Sequence, residues 1–290
     1  MSRVVALVAC VGLCVVGIDN SIAWADPTVS ELVALARQAL VQGKPDEARR
    51  HADRAVEIAP MSREALTLRA GVLSALGKHA EAVADYTRVI EIGPEAARLY
   101  DARGAEQFMA GKIAESITDF TRAVELEPER AWGHWQRGIS FYYAGRYDDG
   151  KRQFEAYQMT DDNDVENAVW RFLCMARAKD VETARKDILK IRDDRRVPMK
   201  QIYALYAGTA KPDDVLAAAK AGNPSAVELN NRLFYAHLYL GLYAEVTGDK
   251  KLAQEHLTTA AEKHMIGHYM WDVARVHAEL LTKDAVAPPK

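Results

Sequence analysis

The sequence predicts an all-α solenoid, a stack of helix-turn-helix hairpins closed by a C-terminal capping helix, and three observations carry that prediction. First, Pro60, Pro94 and Pro128 fall 34 positions apart, with Asp162 in the next place, and Gly43, Gly77, Gly111 and Gly145 recur at the same interval. Second, the small residues Ala36, Ala70, Gly104 and Gly138 keep step, as do Ala48, Ala82, Ser116 and Gly150. The bulky residues Tyr86, Phe120 and Phe154 form a further series, with Ala52 in the first unit. Third, apolar residues lie at helical spacing on both sides of each Gly, as in Leu66, Ala70 and Leu73 before Gly77 and Ala82, Val83, Tyr86 and Ile90 after it. A fixed period of this length is the mark of a repeat architecture.

Each series has a physical reason. The Gly closes the first helix of a hairpin, where a left-handed backbone costs it no Cβ clash, and the Pro stands just past the second helix, which it cannot continue. Small residues let the paired backbones approach, and the aromatic fills the space beside them. One hairpin cannot bury its own apolar face, but stacked hairpins can, so length here measures repeat number and does not count globular domains.

Met1, Ser2 and Arg3 precede an uncharged stretch from Val4 to Ile18, and Ala23-Trp24-Ala25 stands before Asp26-Pro27. This is the pattern of a secretory signal peptide, residues 1–25, with cleavage expected after Ala25 and an exported, periplasmic or extracellular, product. Two alternatives are an uncleaved anchor and a lipid anchor at Cys10. Fifteen helical residues reach only about 22 Å, short of a hydrocarbon core of roughly 30 Å, and a lipidated Cys10 would leave Val11 to Ile18 on the mature chain. No stable membrane insertion is therefore expected after cleavage. Residues 29–162 carry four clear units. A degenerate fifth, 163–192, keeps Ala184 but has Phe172 and Lys179 where a small residue and Gly are expected. Residues 193–224 read as an irregular helical insert, cut by Pro198, Gly208, Pro212 and Gly222 into pieces at Met199 to Ala207 and Asp213 to Ala221. The pattern returns in 225–283 with Gly241, Gly248, Ala253, Leu257 and Ala260, followed by an amphipathic capping segment, Tyr269 to Leu281, and a short tail, 284–290.

Composition removes several functions. Of 290 residues 38 are basic and 41 acidic, for a net charge of −3, with the signs interspersed, so a nucleic-acid partner is not expected. An apolar content of 49% with 17 Gly and 10 Pro is that of a folded chain. Cys174 is the one cysteine outside the signal segment, which leaves no intramolecular disulfide for the mature chain. It sits among Phe172, Leu173 and Met175, the setting of an inert buried thiol. No sequon is present, in keeping with a bacterial envelope.

The motifs resemble the tetratricopeptide repeat family, most closely in Arg103-Gly104, Gly111-Lys112 and Phe120 through Pro128. The resemblance implies a right-handed superhelix whose first helices line a concave groove. At the matching inward places the fourth unit has Trp132, Trp135, Ile139, Tyr142 and Tyr143. The third offers Arg98, Asp101, Ala105, Phe108 and Met109, and the fifth Glu166, Val169, Leu173 and Arg177. Trp132, Trp135, Ile139, Tyr142, Tyr143, Arg98, Asp101 and Phe108 are the candidate partner-binding residues. An aromatic groove flanked by charge suits a peptide or helix of a protein partner. The places where some family members carry the Asn of a carboxylate clamp hold Arg37, Gly71, Ala105 and Ile139 here, so that function is not implied. The last unit and cap bear a loose likeness to bacterial envelope TPR lipoproteins that act as adaptors.

No phosphate loop, nucleophile elbow or paired-His helix is present, and no small-molecule substrate, cofactor or metal is expected. Gly267 separates His264 from His268, against a metal cluster with His256 and His277, and Asp161, Asp162, Asn163 and Asp164 read as a helix cap. The expected function is a non-catalytic scaffold or adaptor of the cell envelope. A self-assembling homodimer and an enzyme with a site in 193–224 are the alternatives.

Overall fold

The computed structural model describes residues 26–286. The expectations for residues 1–25, cleavage after Ala25 and the Cys10 anchor among them, lie outside the described residues. The chain from Val29 onward is helical, and no strand occurs among the described residues. The first hairpin pairs α1 (Val29–Val41) with α2 (Pro45–Ile58), the second α3 (Arg63–Ala75) with α4 (His79–Glu91), and the third α5 (Ala97–Met109) with α6 (Ile113–Leu126). The fourth pairs α7 (Trp135–Tyr143) with α8 (Tyr147–Tyr157), and the fifth α9 (Val165–Ala178) with the short α10 (Val181–Lys186). Then come α11 (Met199–Tyr206) and α12 (Pro212–Lys220), a long pair α13 (Ala226–Val246) and α14 (Lys250–Lys263), and α15 (Tyr269–Val286). Successive helices pack on one another, as a solenoid requires, except that α10 and α11 both pack on α9.

The turn glycines behave as their spacing predicts. Gly43, Gly77, Gly111 and Gly145 have φ between 68° and 75°, and in each case the next N–H reaches back to close the helix, as from Lys112 to Gln107 O at 2.7 Å and Arg146 to Phe141 O at 2.9 Å. The small-residue series is equally direct. A Cβ on Gly138 would lie 2.7 Å from the Phe154 ring, and one on Gly104 would lie 2.9 Å from Phe120. Both rings are fully buried, so neither has room to withdraw.

The segment expected to be an irregular insert is a shortened hairpin within the stack. α11 packs on α9, α12 packs on α13, and Gly208 (φ 79°) makes the same turn, with Thr209 N–H on Ala204 O at 2.8 Å. The period lapses because these helices are only about two turns long. The fifth unit departs for a steric reason. Phe172 replaces the small residue, α10 ends at Lys186, and the ring packs edge-on against Tyr206 of α11 at 5.1 Å.

A second series, visible only once the helices are placed, is an arginine ladder at the same 34-residue interval. Arg69, Arg103 and Arg137 bond to the second helix of their own hairpin, at Asp85, Asp119 and Gln153, and Arg171 bonds to Asp187 at the C-terminal end of α10. Arg69, Arg103 and Arg171 also reach the second helix of the preceding hairpin, at Asp53, Thr87 and Glu155. Through Arg69, Arg103 and Arg171 the ladder ties neighbouring hairpins together. The N-terminal core is largely alanine, with Ala36, Ala39, Ala48 and Ala52 in one cluster, whereas rings and large aliphatics fill the C-terminal half.

Candidate functional site

The eight candidate residues separate into three groups. Trp132 lies outside the fourth unit's first helix, in a 3-10 turn (Pro128–Trp132), because α7 starts only at Trp135, with the ring of His134 capping it by accepting from Arg137 N–H at 3.4 Å. Trp132 is 57% exposed and lines an open trough of about 620 Å³ together with Met159, 82% exposed, and with Asp101 and Arg130. Asp101 is engaged at 2.7 Å by Arg130 and at 2.9 Å by His134. Arg98 is exposed on another part of the face, in a trough shared with Arg37, Arg63 and Glu64.

Phe108, Trp135 and Tyr143 are brought together, and what covers them is the chain's own C-terminus. Tyr269, at the start of α15, packs on Phe108 and on Trp135, both with ring centres 5.3 Å apart, and His268 stacks on Trp135 at 6.2 Å. Further along α15, Arg275 donates to Met109 O at 2.7 Å, and His277 Nδ1 meets the Tyr143 hydroxyl at 2.9 Å. The other His277 nitrogen is 3.0 Å from Glu245, which Arg177 also contacts at 2.5 Å. Burial alone would raise the Glu245 carboxyl, but the His277 ring and the Arg177 guanidinium hold it down to about 2. Asp272 of α15 lies 3.8 Å from His79 of the second hairpin. The capping helix therefore reaches across the second, third and fourth hairpins.

Ile139 and Tyr142 are core residues beneath this contact, at 1% and 5% exposure. Tyr142 packs edge-on against Trp170 at 5.5 Å and receives a hydrogen bond from Arg177 at 3.3 Å. Replacing it would remove core volume as well as any recognition contact.

Between α7, α9 and the α14–α15 turn, the concave face retains a cavity of about 180 Å³. Trp135, Phe154, Tyr157 and Trp170 supply aromatic walls; Asp164, Glu166, Asn167 and Arg196 supply polar ones, and His268 stands at the edge. Arg196, from the segment before α11, holds Glu166 at 2.7 Å and both Asp164 and Asp194 at 2.6 Å. Asp164 also caps α9 by accepting from Glu166 N–H at 3.0 Å, as its place in the acidic run predicts. Burial raises both Asp164 and Glu166 despite the guanidinium, and Glu166 reaches about 7. The sequence offered Glu166 as an inward residue; Arg196 and His268 come from far along the chain and carried no local signal.

The histidines regroup as well. His237, absent from the C-terminal set that the sequence singled out, lies with its Nδ1 2.9 Å from His256 Nδ1 and its ring stacked on His264 at 5.6 Å. Among the described residues no group of three or more His, Cys, Asp or Glu is arranged to hold a metal ion. Cys174 is buried, its thiol pushed up by burial, and its sulfur stands where a Cβ on Gly150 would have to go. No helix among the described residues is long and apolar enough to cross a membrane.

With this geometry in place, residues 33–97 match the family model described as Tetratricopeptide repeat, a span covering most of the first two hairpins. A tetratricopeptide repeat protein from Parabacteroides merdae superposes with a TM-score of 0.56 at 12% identity, over 88% of this chain and 98% of that one. The MamA protein superposes with a TM-score of 0.51 at 16% identity, over 55% of this chain and 86% of its own. At these identities the likeness is one of fold. No curated protein sequence matches.

Proposed function

We propose that this tetratricopeptide-repeat protein is a non-catalytic interaction scaffold of the bacterial cell envelope, exported by its N-terminal segment and engaging a protein partner along the concave face. One observation carries the reading. Trp132 and Met159 stand largely exposed along one open trough with Asp101 and Arg130, and large exposed apolar side chains beside charge are the composition of a recognition surface. Because α15 covers Phe108 and Tyr143, the partner segment docks beside the capping helix, not through the middle of the aromatic set.

The test is capture from the native envelope by crosslinking. Trp132→Ala with Met159→Ala should weaken retention of the crosslinked partner by about 2 kcal/mol, roughly thirtyfold, with little change in melting temperature. Undiminished capture by the double variant removes this surface from the reading. If the captured species is a second copy of the chain, the self-assembling alternative takes its place. N-terminal sequencing of the envelope fraction should begin at Asp26; an intact Met1 there would contradict signal cleavage.

A further inference from the structure

The cavity between α7, α9 and the α14–α15 turn is more than leftover groove. Its charge is unbalanced: Asp164 and Glu166, which line it, and Asp194 beside it converge on a single guanidinium, Arg196, so the cluster keeps an excess of negative charge along one wall of a half-open cavity. A second, independent observation concerns hydrogen bonding. Asn167 is 3% exposed and lines the cavity; its amide nitrogen donates to Gln158 at 3.2 Å, while its carbonyl oxygen has no partner among the described residues. A buried acceptor left unpaired costs stability unless something donates to it. A third concerns the walls, where four aromatic rings surround the space and their faces attract positive charge within about 6 Å.

We propose that this cavity binds an ammonium group on a short carbon chain, with Glu166 and Asp164 as counter-ions, Asn167 Oδ1 as a neutral acceptor, and Trp135 and Tyr157 as the aromatic faces. Such a group arrives either as a free small amine or as the lysine side chain of a partner segment. The inference deepens the proposed function, since it rests on reading the concave face as a recognition surface. A carboxylate ligand fits poorly, because the one guanidinium present is already shared by three acids. A purely apolar ligand would leave Asn167 and the charge excess uncompensated.

The burial of Glu166 supplies a signature. The groups facing it are Asp164 and Arg196, with Tyr235 and Tyr239 from α13 and Tyr157 from α8, while Asp194 shares Arg196 and His268 of the α14–α15 turn lines the same cavity. Tyr239 donates to its second oxygen at 2.5 Å. With the carboxyl at about 7, its ionised fraction rises steeply between pH 6 and 8. A cation should therefore bind up to about tenfold more tightly at the higher pH.

The experiment is calorimetric titration of the full chain with n-butylamine, with acetyl-Gly-Lys-Gly-amide, and with butyrate and the norleucine analogue of the peptide as controls. Binding of either amine, absent from both controls and stronger at pH 8 than at pH 6, is the expected result. A tighter peptide identifies a partner lysine as the source, and equal or tighter butylamine identifies a free amine. Glu166→Gln should reduce affinity at least tenfold and flatten the pH profile. Because that variant also disturbs Arg196 and Tyr239, Trp135→Leu serves as a second, expected to weaken amine binding while keeping the pH dependence. Binding of butyrate or the norleucine peptide as strong as that of the amines, a flat pH profile, or no heat with either amine at millimolar concentration overturns the proposal. The last outcome would leave capture through Trp132 and Met159 intact, so the two readings fail separately.

Discussion

Arg103 donates to both oxygens of Asp119, at 2.6 and 2.8 Å, and to Thr87 of the preceding hairpin at 3.1 Å. Asp119 is buried, so Arg103→Ala strands a carboxylate away from water and should cost about 3 kcal/mol, read as a lower urea midpoint. A loss below roughly 1 kcal/mol would mean that water reaches Asp119 and that the ladder contributes little. The partners of this ladder sit 16 positions on, a spacing as regular as the glycines, yet an Arg before a small residue reads as surface until the facing helix is placed. His237 contributes to the acid behaviour together with His256, His264 and His268, which burial also lowers. Burial first, then the neighbouring His256 and His264, hold the His237 ring down to about 4, against about 6.5 for a free imidazole. Its folded pKa lies below the unfolded one, so its contribution is complete above pH 6.5 and is lost as pH falls towards 4, at no more than about 1.4 kcal/mol per pH unit. The melting temperature should drop over that window, and His237→Gln should shallow the slope; an equally steep fall in the variant would place the acid sensitivity elsewhere.

At the scale of elements, α15 was legible as an amphipathic cap but not as an occupant of the groove. An amphipathic helix states that one face is buried, not what buries it. Here the covering face uses Tyr269, Arg275 and His277 against Phe108, Met109 and Tyr143, contacts that span well over a hundred positions. Deleting residues 269–290 should uncover Phe108, Trp135 and Tyr143 and raise the fluorescence of an added naphthalene sulfonate dye several-fold. Dye binding equal to that of the full chain would show that other residues close over the rings. The shortened pair α11 and α12 carries a similar lesson, because two-turn helices break a 34-residue period while keeping its turn and its place in the stack.

For the whole molecule, closure by α15 changes what a repeat array is expected to do. An open solenoid is held by nearest neighbours alone and can unfold from one end. Links from α15 to the second, third and fourth hairpins join distant units, so urea unfolding should follow one transition by both far-ultraviolet circular dichroism and tryptophan fluorescence. Trp132, Trp135, Trp170 and Trp271, the tryptophans among the described residues, lie outside the first three hairpins, so their fluorescence reports on the remainder. Arg275→Ala with His277→Ala should separate the two signals, the alanine-rich N-terminal hairpins melting first. Coincident transitions in that variant would show that neighbour contacts suffice for cooperativity.

The period, the hairpins, the turn at each Gly and the pairing of small residues with rings such as Gly138 with Phe154 are all written in the order of the residues. These depend on backbone conformation and on contacts within one repeat, which a 34-residue spacing records. Which inward aromatics are covered, where Trp132 emerges, and that Glu166, Arg196 and His268 share a cavity follow from the packing of distant segments. Those outcomes depend on burial between segments tens to more than a hundred positions apart, and no local pattern specifies the partner of a long-range contact.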